Sequence, residues 1–199
     1  MKFTIKKNII LDALSNAVRA LSTKITIPVL NGILFNLTEQ GLEVQASDSE
    51  LTIKTTIELK DIINIESTGR AVLQSRCLLE IIRKMPNDVI NFELTDNNNI
   101  KIYSDINEYI IECYNIGEYP TITLEKSQNI INIESKLIKQ MINQTSYAMS
   151  MQEVRPLLTG LNLKINGDIL ECTATDSYRL SKKIVKLSKP LENSINIVI

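Results

Sequence analysis

The sequence predicts an α+β protein of duplicated domains, with helices on one face of antiparallel sheets. Three features predict it. A few segments carry apolar residues at helical spacing, and many more alternate apolar with polar residues. A 32-residue stretch returns after a shift of 128 residues, so that Pro28 falls on Pro156. Basic residues collect in the helical segments and acidic residues in the strand-like ones.

In chain order, Met1–Ile5 alternates, with Phe3 and Ile5 inward, and reads as a short strand. Asn8 is the expected N-cap of a helix over residues 8–20. Ile9, Ile10, Ala13, Leu14, Ala17, Val18 and Leu21 share one side of it, while Lys7, Asp12, Ser15, Asn16 and Arg19 share the other. Ser22–Thr26 is a polar loop, and Pro28 ends any helix before it. Leu30–Leu37, Leu42–Ser47 and Leu51–Leu59 read as three strands, the first two joined at Gln40-Gly41. Ala71–Leu73 is a short strand. Ser75 is the expected cap of a second helix, with Leu78, Leu79, Ile82 and Met85 on its apolar side and Pro86 beyond its end. Val89–Leu94, Ile100–Ser104 and Tyr109–Tyr114 form a meander with a turn at Asn97-Asn98-Asn99. Gly117-Glu118-Tyr119-Pro120 breaks the pattern and opens a linker.

The pattern then restarts. Residues 28–59 align with 156–187 without a gap, and ten of the 32 pairs are identical, among them Gly32/Gly160, Leu42/Leu170, Asp48/Asp176 and Ser49/Ser177. The same shift makes Ser135–Ala148 a second copy of the first helix, with Lys136, Lys139, Gln140 and Asn143 on its polar side. Leu161, Leu163 and Ile165 lead into Asn166-Gly167, a strong hairpin signal, and Ile169–Thr175 returns. The repeat is too long for a solenoid unit and marks a duplicated domain. The expected division is a complete domain over 1–120 and a second over 121–199 that lacks the counterparts of the second helix and its meander. This describes a piece of a longer protein.

Composition narrows the function. A hydrophobic content of 44% and a charged content of 23% are those of a soluble globular protein. No apolar run reaches a membrane span, and MKFTIKKN lacks a signal-peptide core. The absence of histidine excludes histidine triads, histidine-bound zinc and histidine general bases. Cys77, Cys113 and Cys172 have no metal-type spacing and read as reduced core residues of a cytoplasmic protein. Net charge is −1, so any attraction for nucleic acid must come from an uneven distribution. Asp48 and Asp176 match across the repeat, which would suit a two-metal enzyme only if they met in space. Each precedes a serine at a turn, where aspartate commonly binds its own backbone. No cofactor or metal is implied.

Met1-Lys2-Phe3-Thr4, Pro28-Val29-Leu30, Gly117-Glu118-Tyr119-Pro120, Gln152-Glu153-Val154-Arg155 and Ala174-Thr175-Asp176-Ser177-Tyr178-Arg179-Leu180 together resemble the beta subunit of bacterial DNA polymerase III, the sliding-clamp family. The resemblance covers the whole chain and implies its N-terminal portion, in the DNA clamp fold. It implies three such domains per subunit, paired head-to-tail in a homodimeric ring around duplex DNA. No catalysis is implied. Lys24, Arg76, Arg83, Lys136, Lys139 and Gln152 are the expected DNA-facing residues. Lys24 and Gln152 lie in loops 128 residues apart. The resemblance also implies a groove for a short apolar peptide, walled by Arg155, Leu158, Thr175, Ser177, Tyr178, Arg179 and Leu180. Ser177 stands where many relatives carry Gly. The peptide's sources would be the DNA polymerase catalytic subunit, the clamp loader and other proteins bearing the clamp-binding motif. Tyr109 and Ile111 match the apolar positions of an edge strand at the dimer interface. The alternative is a partner-binding module that forms no ring.

Overall fold

The computed structural model describes residues 1–22, 27–95, 97–105, 107–122, 132–152, 154–191 and 194–199. They fall into two compact units, Met1–Thr123 and Leu124–Ile199.

In the first unit β1 (Lys2–Lys6) leads directly into α1 (Lys7–Ala17), followed by β2 (Gly32–Thr38), β3 (Gly41–Ser47), β4 (Thr52–Glu58), β5 (Ile62–Ser67) and β6 (Gly69–Gln74). Next come α2 (Ser75–Lys84), β7 (Val89–Leu94), β8 (Asn99–Ser104) and β9 (Asn107–Tyr114). The strands are antiparallel in the order β4-β3-β2-β6-β9-β8-β7-β1-β5. β9 joins the two halves: Asn107–Glu112 pairs with β8, and only Cys113 and Tyr114 pair with β6. α1 lies on β3 and β4, α2 on β6 and β9, and the two helices touch. Between helices and sheet lie Ile10, Leu14, Leu78, Ile82, Phe35 and Phe92, all fully buried. Phe3 stacks on Phe92 with ring centroids 4.8 Å apart.

The second unit holds α3 (Ser135–Thr145), β10 (Asn162–Asn166), β11 (Ile169–Thr175), β12 (Leu180–Lys186) and β13 (Ile195–Val198), in the order β12-β11-β10-β13. Shifted by 128 residues, α1, β3 and β4 coincide with α3, β11 and β12 residue for residue. Register follows as well: Leu37 pairs with Leu42, and Ile165 with Leu170. Gly32 and Gly160 serve the same close approach. A Cβ at Gly32 would come within 2.5 Å of Val72, and one at Gly160 within 2.6 Å of Val198 and 2.7 Å of the Ile199 carbonyl.

Several local expectations change. Asn8 is not the N-cap: the helix begins at Lys7, and Asn8 Oδ1 instead accepts from the Ile9 N–H at 3.0 Å. The Lys7 ammonium donates to the carbonyls of Arg83 (3.1 Å) and Met85 (2.5 Å), satisfying the C-terminal end of α2. Ser75 is the first residue of α2 rather than its cap. The first hairpin turns at Glu39-Gln40, and Gly41 begins β3 with φ 141°, where a Cβ would lie 2.3 Å from the Ile57 carbonyl. The strand β5 is additional. Its Ile62, Ile63 and Ile65 do not alternate cleanly, because its pairing with β1 shifts register twice. Cys77 is exposed on α2, whereas Cys113 and Cys172 are buried. Burial pushes the Cys113 thiol up to about 11, with the nearby Glu112 adding to the shift.

Candidate functional site

The turn between β11 and β12 is built by side chains that bind their own backbone. Asp176 Oδ1 accepts from the Tyr178 and Arg179 N–H groups at 3.0 and 2.9 Å, and Oδ2 accepts from Arg179 Nε at 3.0 Å. These bonds, the Arg179 N–H first, hold the Asp176 carboxyl below the usual aspartate range. Thr175 Oγ1 accepts from the Ser177 N–H at 3.2 Å and donates to the Arg179 carbonyl at 2.7 Å. Ser177 has φ 77°, a conformation glycine adopts more freely.

The first unit repeats this turn. Asp48 Oδ1 accepts from the Glu50 and Leu51 N–H groups at 3.1 and 2.7 Å, and Ser49 has φ 84°. Both aspartates are therefore occupied in folding their own turns. Among the described residues no cluster of His, Cys, Asp or Glu could hold a metal ion, and no helix is long and apolar enough to cross a membrane.

Past these shared turns the side chains stand in solvent. Tyr178 is 98% exposed and Leu180 64%, so neither belongs to the core. Arg155 Nη1 approaches Ser177 Oγ at 3.5 Å, bringing the loop before β10 to the turn. The Leu158 carbonyl accepts from the Ser150 N–H at 2.8 Å, and Leu158 itself is half-buried. Arg155, Thr175, Ser177 and Arg179 are thus linked by hydrogen bonds, and Leu180 faces Thr175 across the strand pair. Three further apolar side chains lie exposed in the same part of the sequence: Tyr147 at 61%, Met151 at 99% and Leu157 at 75%. Sequence reasoning missed them. The signal available was that apolar residues occupy loop positions where no core face runs.

The cations divide by element. Lys2 pairs with Glu66 at 3.0 Å, Lys101 with Glu108 at 2.7 Å, Lys182 with Glu171 at 2.8 Å, and Lys54 with Glu43. These lysines lie on strands and are neutralised there by neighbouring carboxylates. Arg76 and Arg83 on α2 and Lys136 and Lys139 on α3 are exposed and, among the described residues, belong to no ion pair. Gln152 is exposed in the loop after α3. Lys24 lies outside the described residues.

On β9 the strand edge opposite β8 has no partner over Asn107–Glu112 among the described residues. Tyr109 is 38% exposed beside it, but Ile111 is 7% exposed and packed in the unit's own core. Its side chain is therefore not an outward contact. Ile110, of opposite strand parity, is the one that faces out, at 65%.

Repeated α+β units with exposed helix cations define a class, the DNA sliding-clamp fold. The chain superposes on the crystal structure of the DNA polymerase sliding clamp from Bacillus subtilis with a TM-score of 0.93 and 36% identity, covering 100% of this chain and 53% of that one. The DNA polymerase III beta chain from Streptococcus pneumoniae gives a TM-score of 0.93 at 31% identity, again over 100% and 53% of the two chains. The chain belongs to the DNA polymerase III beta subunit family. Residues 1–123 match the N-terminal domain and residues 132–199 the central domain. Among curated proteins, the beta sliding clamp of Staphylococcus aureus is 34% identical over 203 residues, covering 100% of this chain and 54% of that protein. The chain spans about half the length of the curated relatives it matches.

Proposed function

We propose that this chain forms the first two domains of a DNA sliding clamp, a non-catalytic cytoplasmic processivity factor. The domain boundary lies near residue 120. The protein encircles duplex DNA as a homodimer with the longer chain of its relatives. It tethers the polymerase catalytic subunit, the clamp loader and other motif-bearing proteins by a peptide groove in the second unit.

The observation that carries this reading is the division of cations. A sliding ring needs attraction to phosphates without base contacts. Unpaired Arg76, Arg83, Lys136 and Lys139 supply that attraction, while ion pairs cancel the charge of the strand lysines. Gln152 adds a polar contact of the same kind, and Lys24 stands at the equivalent loop of the first domain. The groove is formed by Arg155, Leu158, Thr175, Ser177, Tyr178, Arg179 and Leu180: apolar surface with a few orienting polar groups, the usual make-up of a recognition site. The free edge at Asn107–Glu112, flanked by Tyr109 and Ile110, offers backbone groups to a strand of a second subunit.

Retention on DNA circles tests the reading. Protein loaded on a nicked circular duplex should stay bound through gel filtration and be lost once the circle is linearised. Equal loss from circles and linear duplex would contradict ring formation and leave a partner-binding module.

A further inference from the structure

The short helical turn Ser146–Ala148 that follows α3 packs against β11 and β12. Ser181 Oγ donates to the Gln144 carbonyl at 2.9 Å and ties the end of α3 to the start of β12. This brings the Tyr147 ring under the Arg179 guanidinium, whose central carbon lies 5.8 Å from the ring centroid. That distance is within cation–π range. Arg179 is then held on two sides, by the ring on its face and by Asp176 on Nε at 3.0 Å. Among the described residues no hydrogen bond engages its Nη1 or Nη2. An arginine side chain fixed this way loses less rotamer freedom when it binds, and its planar donors are already oriented.

The internal repeat gives an independent indication. The counterparts of Tyr147 and Arg179 in the first unit are Arg19 and Leu51. Both positions changed together, from a pair that cannot stack in this way to one that does, while the Asp-Ser turn between them stayed the same. A residue serving only the scaffold would be expected to follow the scaffold.

We propose that Tyr147 is a positioning residue of the peptide site: with Asp176 it holds the Arg179 guanidinium so that Nη1 and Nη2 remain free for a carbonyl oxygen of an incoming apolar peptide. This rests on the groove reading above. Tyr147 shapes the site by orienting Arg179, and its exposed ring adds an aromatic wall beside it.

The test uses the full chain and a fluorescein-labelled Gly-Ser-Leu-Leu-Phe amide read by anisotropy. Tyr147→Ala should raise Kd about threefold or more, as expected for loss of a partly exposed cation–π contact. Tyr147→Phe should restore most of that loss. In an Arg179→Ala background Tyr147→Ala should add nothing, a non-additivity that a purely structural role would not produce. The Arg179 Nε–H resonance gives a readout without peptide: its ring-current shift should disappear in Tyr147→Ala and persist in Tyr147→Phe. If wild type binds the peptide and Tyr147→Ala binds it equally well, the role of Tyr147 is overturned and the groove stands. If the two substitutions weaken binding additively, positioning through Arg179 is overturned. If wild type does not bind at all, the groove reading falls and this proposal with it.

Discussion

After β3 the first unit presents Glu50 and Leu51 to solvent; after β11 the second presents Tyr178 and Arg179. The turns beneath them are the same. Each has an aspartate accepting from two backbone N–H groups, a serine at positive φ, and strands in identical register on both sides. Because the aspartate closes the turn, the next two side chains contribute little to folding and are free to diverge. Duplication thus leaves a conserved frame with a variable tip, and the second tip is the one that gathers Arg155, Leu158 and Tyr147 around it.

The frame can be tested at identical residues. Leu42 and Leu170 are equivalent, and both are fully buried. Leu42→Ala and Leu170→Ala should each cost about 2–5 kcal/mol in urea denaturation. A large loss at one and none at the other would break the equivalence of the two cores. At the tips, Leu158→Ala or Arg179→Ala should weaken binding of the apolar peptide by about 1–2 kcal/mol each, a usual size for interface truncations. Glu50→Ala and Leu51→Ala should leave it unchanged.

A parallel contrast separates helices from sheets. Arg83→Glu should lower duplex affinity and reduce its salt slope by about 0.9 or more, the share of one phosphate contact. Lys101→Glu, whose charge is already paired with Glu108, should change the slope little. The smallest effect concerns the shared turns. The Asp48 carboxyl is held below its ordinary 3.8, chiefly by the Leu51 N–H. A depressed carboxylate contributes stability that is fully present above 3.8 and lost as pH falls through its folded-state value. The stability difference between wild type and Asp48→Asn should therefore be largest at neutral pH and shrink in acid. Asp176→Asn should show the same profile, since its shift has the same direction and backbone origin.

Much of the frame was legible in the sequence because the repeat and the strand alternation express burial directly. Phe3, Ile5, Leu42 and Leu170 all face inward as their spacing requires. What was not legible depends on partners distant in sequence. The start of α1 is set by Lys7 reaching the end of α2, which no local capping signal reveals. β5 was hidden because its bulged pairing with β1 suppresses alternation. Cys77 looked like core because cysteine usually is, yet it sits on the outer side of α2. Ile111 and Ile110 are indistinguishable by composition; only the strand's parity against its own core decides which one faces out. At the candidate site the Tyr-Arg-Leu ending stood out against its Glu-Leu-Thr counterpart. Tyr147 did not, because its relation to Arg179 exists only once α3 is docked.

The central claim, one shared frame with its binding tip in the second copy, is tested most directly by titrating the isotope-labelled chain with the same unlabelled apolar peptide and following backbone amide resonances. The account predicts saturable shifts at Tyr178, Arg179 and Leu180 with none at Glu50, Leu51 and Thr52. Equal shifts at both turns, or shifts confined to the first, would contradict it.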